Sequence, residues 1–163
     1  LNGTNFQQAI LNYADFTGSQ LHLTNFRMAQ LNGAILMNVW MYNTCPMQPD
    51  GTYRCGPKFI NASMIGADLR GFRYNWGPDF TGANLTDAIL GDADYPICLR
   101  FIPSYPKFDQ ARLCGAVVLN MWNTGICKPG SLTGSIFDDA TQLDFSREQA
   151  LDYGMVYEKN CRN

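Results

Sequence analysis

Leu1-Asn2-Gly3-Thr4-Asn5-Phe6-Gln7-Gln8-Ala9-Ile10-Leu11-Asn12-Tyr13-Ala14-Asp15-Phe16 sets a five-residue beat that runs on unbroken to Met41. A large apolar residue stands at Leu1, Phe6, Leu11, Phe16, Leu21, Phe26, Leu31, Leu36 and Met41. Two places before most of them stands a small or β-branched one: Thr4, Ala9, Ala14, Ser19, Thr24, Ala29, Ala34, Val39. Five residues match neither the helical period nor the strand period. They fit a chain that turns a corner every fifth residue. Four such sides close a coil of about twenty residues, and coils stack at the ~4.8 Å spacing of neighbouring strands. The large residue points inward, the small one fills the space beside it, and the polar remainder (Asn5, Gln7, Asn12, Asp15, Asn25, Arg27) faces out. Leu1 is then expected on Leu21 on Met41, Phe6 on Phe26, Leu11 on Leu31 and Phe16 on Leu36. No side buries its own apolar face, but the stack makes a continuous core. Short amphipathic helices are set aside, because helical spacing breaks within two turns of this pattern.

The beat lapses and returns. It resumes at Phe59, Met64, Leu69 and Tyr74, and shifts by one residue at Gly77-Pro78 to Phe80, Leu85, Leu90 and Tyr95. It continues at Phe108, Leu113 and Val118, and again at Leu132 and Phe137. The lapses at about 42–58, 96–107 and 123–130 read as loop excursions, the first holding the turn signal Pro49-Asp50-Gly51. Residues 1–145 are therefore expected to form one all-β solenoid, with a short C-terminal helical cap and tail over 146–163. Ser146 and Gln149 have capping-box spacing, with Phe145 placed as a staple. Ala150, Leu151, Tyr153 and Met155 read as helical turns that Gly154 weakens or ends. No such cap precedes Leu1 and no Met opens the chain, so a trimmed product lacking an N-terminal part is expected.

Ala14-Asp15-Phe16, Ala67-Asp68-Leu69, Ala83-Asn84-Leu85 and Ala93-Asp94-Tyr95 resemble the A(D/N)LXX motif of pentapeptide-repeat proteins. That resemblance implies a right-handed quadrilateral β-helix.

Twelve Lys and Arg against fourteen Asp and Glu give a net charge of −2. This is too little basic charge for a nucleic-acid footprint and too little acid for strong DNA mimicry. No apolar run is long enough to span a membrane, and no signal peptide is present. Six cysteines, Cys45, Cys55, Cys98, Cys114, Cys127 and Cys161, all miss the inward positions and fall where loops need tethering. They are read as disulfides, which persist in oxidising compartments. Of the fifteen possible pairings, Cys45 with Cys55 is preferred, followed by Cys98 with Cys114 and Cys127 with Cys161.

No catalytic or metal constellation emerges, and no cofactor is expected. His22, the only histidine, follows an inward residue and reads as surface. Asp92, Asp94, Asp138 and Asp139 read as a solvated face rather than a cation site. Asn2-Gly3-Thr4, Asn61-Ala62-Ser63 and Asn84-Leu85-Thr86 match the glycosylation tripeptide, but Asn-, Ser- and Thr-rich repeats generate it by themselves. Trp40, Tyr42, Trp76 and Trp122 lie at breaks in the beat, either beneath the loops or as an exposed aromatic anchor for a partner. Leu85→Asp is expected to be severe and Thr86→Asp mild.

These features point to a non-catalytic scaffold that binds other proteins. The resemblance adds a location, since several pentapeptide-repeat proteins reside in the thylakoid lumen. The expected role is thus a peripheral accessory subunit of a larger, photosynthetic membrane complex in the lumen, with a periplasmic or secreted setting as the alternative. The competing role, also implied by the resemblance, is a DNA-mimic regulator of a type II topoisomerase such as gyrase. An enzyme ranks last.

Overall fold

The computed structural model describes residues 1–40, 45, 49, 55–71, 77–91, 107–118 and 132–162. The backbone coils with one parallel bridge per side: Asn5 pairs with Asn25, Ile10 with Gln30, Asp15 with Ile35 and Gln20 with Trp40. Each bridge is hydrogen-bonded in both directions, as in Phe6 N–H to the Asn25 carbonyl (2.8 Å) and Asn25 N–H to the Thr4 carbonyl (3.0 Å). The sides are so short that only a few pairings extend to strands. These are β1 (Ile89–Gly91), β2 (Val117–Val118), β3 (Ile136–Phe137), β4 (Gln142–Leu143) and β5 (Val156–Tyr157). β1, β2 and β4 form one parallel sheet, β3 and β5 another. The architecture is an all-β solenoid carrying a single helix among the described residues, α1 (Arg147–Asp152).

The corners explain the sequence motif. At the corners from Leu1 through Leu31 the inward residue's carbonyl accepts from the N–H three residues on, as in Thr4 to Leu1 (3.1 Å) and Ala9 to Phe6 (3.0 Å). The residue two past the inward one has positive φ: Gly3 68°, Gln8 61°, Tyr13 61°, Gly18 66°. That is the type II arrangement. The Asp or Asn before the inward residue caps the turn through its side-chain oxygen. Asp15 Oδ1 accepts from Thr17 N–H (2.8 Å), Asp68 from Arg70 (3.1 Å) and Asn84 from Thr86 (3.2 Å). An Asx turn needs a short side chain carrying an oxygen there, which is the chemistry of the D/N position. The small residue must be small because it is enclosed: Ala29, Ala34, Ala62, Ala67, Ala83, Ala88, Ala111 and Ala116 are at most 1 % exposed.

Among the described residues eight corners force a non-glycine residue into the left-handed region, Gln8 and Leu23 among them. A left-handed L-residue costs roughly 1–2 kcal/mol, partly offset by glycine's greater unfolded entropy of about 0.5–1 kcal/mol. Exposed Gln8 (φ 61°) replaced by Gly is therefore expected to raise the melting temperature by a degree or more, read by calorimetry. A clear decrease would contradict the corner assignment.

The core is a set of columns. Phe6, Phe26, Phe59, Phe80 and Phe108 stack with centroids 5.2, 5.0, 5.1 and 5.1 Å apart and planes within 13° of parallel. Phe16 meets Phe6 and Phe26 edge-on at 6.2 and 5.6 Å. Leu21, Leu31, Leu36, Met64, Leu69, Leu85, Leu90, Leu113 and Val118 are fully buried, and Phe16, Leu132 and Phe137 nearly so. Phe6 and Leu11 are partly buried against this core. Met41, Tyr74 and Tyr95 lie outside the described residues.

Two expectations change. Leu1 is 49 % exposed rather than a core member, because its coil is stacked on one side only. Thr86 is not an outward, tolerant position: it is 7 % exposed and its hydroxyl donates to Asn84 Oδ1 at 2.7 Å.

Past Leu143 the coil gives way to the helix α1. Ser146 accepts from Gln149 N–H while Gln149 Oε1 accepts from Ser146 N–H, the full capping box. Ala150 and Met155 turn into the core, and Phe145 stands edge-on to Tyr153 at 5.3 Å. Gly154 (φ 81°) ends the helix and delivers Val156–Tyr157 back onto Ile136–Phe137.

Candidate functional site

The bridges show which flanks of the coil are regular. From the first side to the second to the third the spacing is five in three successive coils, Lys58, Ser63, Asp68; then Asp79, Asn84, Ile89; then Lys107, Arg112, Val117, and becomes six in the last, from Ile136 to Gln142. Yet Asn25 pairs with Lys58, Lys58 with Asp79 and Asp79 with Lys107, steps of 33, 21 and 28 residues. Up to Lys107 the residues beyond the basic twenty thus fall after the third side and before the next first side, and the other three flanks are regular in the described residues as far as Val117.

Outward apolar side chains gather on those flanks in the first three coils. Ile10 and Tyr13 are 74 % and 80 % exposed, Met28 53 %, Ile65 41 % and Ile35 37 %. Tyr13 lies over Gly33 of the next coil, where even a methyl group would strike its ring. Around them run amide ladders: Asn25 Nδ2 donates to Asn5 Oδ1 (3.0 Å), Asn32 N–H to Asn12 Oδ1 (3.0 Å) and Asn2 Nδ2 to Gln20 Oε1 (3.0 Å). Sequence reasoning missed this apolar set because it looked for aromatics at the breaks. The available signal was an apolar residue at a position that should be polar.

Of the aromatics singled out from sequence, Trp40 bridges to Gln20 and donates from Nε1 to the Gly18 carbonyl at 2.8 Å. It is built into the coil and half-buried. Tyr42, Trp76 and Trp122 lie outside the described residues. His22 is half-buried, with its Nδ1 enclosed and without a hydrogen-bond partner.

The cysteines tether. Cys45 is bonded to Cys55. Cys114 is bonded to Cys161 rather than to Cys98, so the pairing of Cys127 with Cys161 does not occur either. Cys98 and Cys127 themselves lie outside the described residues. The sequence gives no sign that the tail reverses. Glu158 N–H still bonds the Phe137 carbonyl of the coil below (2.9 Å). The chain then descends until the Cys161 carbonyl accepts from Arg112 Nε (2.7 Å) and Arg162 reaches Asp87 (2.7 Å). The tail is a strap across the corner between the second and third sides, covering Gly115 with the Arg162 guanidinium.

Asp138 belongs to this strap and is 6 % exposed, not part of a solvated face. Burial pushes its carboxyl up. The Gly115 N–H, the Thr141 hydroxyl, the Ala140 N–H and the Arg162 charge outweigh that and hold it below the ordinary value of 3.8. A depressed carboxyl stabilises fully above the unfolded value and loses this as pH falls through the folded one. Tail protection in hydrogen exchange is therefore expected to be constant from pH 7 to about 5 and to fall below about 4. Protection that is flat down to pH 2 would contradict this.

Replacing Cys114 and Cys161 together by Ser opens a link spanning 47 residues. A loss of about 2–4 kcal/mol is expected. Proteolysis should begin within 158–162 while the coils stay resistant; unchanged cleavage would contradict the strap.

Among the described residues no group of three His, Cys, Asp or Glu side chains is placed to hold a metal ion. No helix among them is long and apolar enough to cross a membrane.

Residues 1–37 match pentapeptide repeats, in eight copies. No curated protein matches the chain. Solved structures also match, three of them as follows. QnrB1, a plasmid-mediated fluoroquinolone resistance protein, is 15 % identical, with 94 % of this chain and 67 % of that one covered and a TM-score of 0.39. A pentapeptide repeat protein from Nostoc PCC 7120 is 15 % identical over 94 % and 84 %, with a TM-score of 0.31. One from the Arabidopsis thaliana thylakoid lumen is 23 % identical over 91 % and 70 %, with a TM-score of 0.22.

Proposed function

We propose that this chain, with eight copies of the pentapeptide repeat in residues 1–37 and the same coil carried on beyond them, is a pentapeptide-repeat protein that acts as a non-catalytic scaffold binding other proteins. The observation that carries the reading is the apolar set Ile10, Tyr13, Met28, Ile35 and Ile65, held outward on regular flanks of a rigid coil. Exposed apolar side chains grouped on a soluble surface mark contact sites, and a preformed coil contributes them with little ordering cost on binding. The sides form a right-handed quadrilateral helix, with the interruptions as loops on one flank and α1 as its C-terminal cap.

The two described disulfides favour an oxidising, extracytoplasmic compartment, and the thylakoid lumen is the concrete version. There the chain is a peripheral accessory subunit of a larger membrane complex, the photosynthetic apparatus being the first candidate. DNA mimicry of the kind that targets gyrase fits less well. The outward column of the third side reads Asp15, Ile35, Asp68, Ile89, Val117, and Asp68 is paired with Arg70 at 2.6 Å. Carboxylates alternating with apolar side chains do not copy a phosphate backbone.

Native separation of gently solubilised source material, following this chain by mass spectrometry, tests the reading. It is expected in a large membrane-associated fraction and released by salt or alkaline wash. Migration alone near 18.3 kDa would contradict a stable subunit, and inhibition of gyrase supercoiling at low micromolar protein would replace the reading.

A further inference from the structure

A cleft of about 220 Å³ opens where the last coil meets the cap, lined in part by Phe137, Asp139, Phe145, Arg147 and Tyr157. Its occupant comes from the chain itself. The Arg147 guanidinium carbon sits 3.5 Å from the centroid of the Tyr157 ring, and its Nη1 lies 3.9 Å from Asp139 Oδ1. The Asp139 carboxylate beside the ring holds the Tyr157 phenol above its ordinary value. A flat cation stacked on an aromatic face beside a carboxylate is the arrangement that recognises guanidinium.

Arg147 is weakly held there. Its side chain is 53 % exposed and that of Asp139 66 %, and the ion pair is long. Such solvent-screened pairs contribute little. The surroundings favour another cation over an anion. Asp138, Asp139, Asp144, Glu148, Asp152 and Glu158 outnumber Arg147, Lys159 and Arg162 in residues 132–162, while the other 131 residues plus Asn163 carry eight acidic and nine basic groups.

We propose that this cleft is a docking site for an arginine side chain of a protein partner, whose guanidinium replaces that of Arg147 on Tyr157 beside Asp139. The inference rests on the protein-binding reading above and assigns it a second contact, at the opposite end of the coil from Ile10 and Tyr13. Arg147 is then a resident competitor: it keeps the aromatic face covered in the free protein and swings into solvent when the partner arrives.

The test uses the full chain and two short probes, acetyl-Gly-Arg-Gly-amide and acetyl-Gly-Glu-Gly-amide, followed by ¹H–¹⁵N shifts. The arginine probe is expected to move the amides of Asp139, Arg147 and Tyr157. Arg147→Gln should bind it at least threefold more tightly, and Asp139→Asn at least threefold more weakly. Loss of binding in Arg147→Gln, or shifts caused by the glutamate probe instead, would overturn the proposal in favour of an anion site. No shift with the arginine probe at saturating concentration would also overturn it. If Asp139→Asn perturbs the cap, the sign of the Arg147→Gln effect still decides. A partner complex found by native separation and unaffected by either variant would leave the scaffold standing and remove the cleft from its interface.

Discussion

Leu85→Asp is expected to abolish cooperative folding at room temperature. Leu85 is fully buried. Its N–H bonds the Arg112 carbonyl of the next coil (2.8 Å), and its own carbonyl accepts from Ala88 (3.0 Å). The column it belongs to runs from Leu11 through Leu31 and Met64 to Leu113, so a carboxylate there has apolar neighbours above and below and no cation. An uncompensated buried charge either stays ionised at great cost or takes up a proton, and both alternatives sacrifice the leucine's burial. The penalty is several kcal/mol, comparable with a domain's whole stability of about 5–15 kcal/mol. Gln7→Asp, at an exposed corner, should change the melting temperature by no more than a degree or two. Circular dichroism melts of the two variants decide the matter. Similar transitions would mean that the inward column is misassigned.

Phe59→Ala is the next largest effect. Phe59 is the middle ring of the stack, 5.0 Å from Phe26 and 5.1 Å from Phe80, and it is fully buried. Coil spacing is set by backbone hydrogen bonds, so the neighbouring rings cannot close the gap. The loss should be about 3–5 kcal/mol, lowering the melting temperature by roughly 10 °C or more in a chain of this length. Phe59→Leu should recover a large part of it by keeping most of the volume. A loss below about 1 kcal/mol in Phe59→Ala would mean that the column relaxes around the missing ring, against the account of a stack held by its backbone.

Much of this was legible because the period is itself the geometry. Once a corner falls every fifth residue, the burial of Leu31 or Leu36 follows from counting, and the stacking of Phe6 on Phe26 follows from a coil of twenty. The column through Phe59, Phe80 and Phe108 was harder. Steps of 33, 21 and 28 residues hide it unless the interruptions are first assigned to one flank. The signal was present: Phe59, Met64, Leu69 and Phe80, Leu85, Leu90 and Phe108, Leu113, Val118 come in runs of three sides separated by the irregular fourth.

The strap was not legible. Nothing local says that Cys161 returns to Cys114. That depends on where Gly154 sends the chain after the cap and on Arg112 meeting the Cys161 carbonyl. Buried Asp138 and Thr86 were misread for one common reason. Their side chains are spent on hydrogen bonds, with Gly115 N–H of the neighbouring coil (2.9 Å) and with Asn84 Oδ1 of the same turn (2.7 Å) respectively, and a polar residue so satisfied can be enclosed. The cap was readable because the capping box is a local code, whereas the cleft beside it brings together residues from the last coil, the cap helix and the returning strand.

The claim on which everything else depends is that one coil continues past the matched repeats, through residues 58–143. Hydrogen exchange resolved to single amides tests it. Phe26, Leu31, Met64, Leu85 and Leu113 each donate to the next coil, to Lys58, Ser63, Asn84, Arg112 and Ile136 respectively. The account predicts that all five exchange slowly and with similar opening free energies, as one cooperative unit. Protection confined to residues 1–40, with Met64, Leu85 and Leu113 exchanging at unstructured rates, would contradict it.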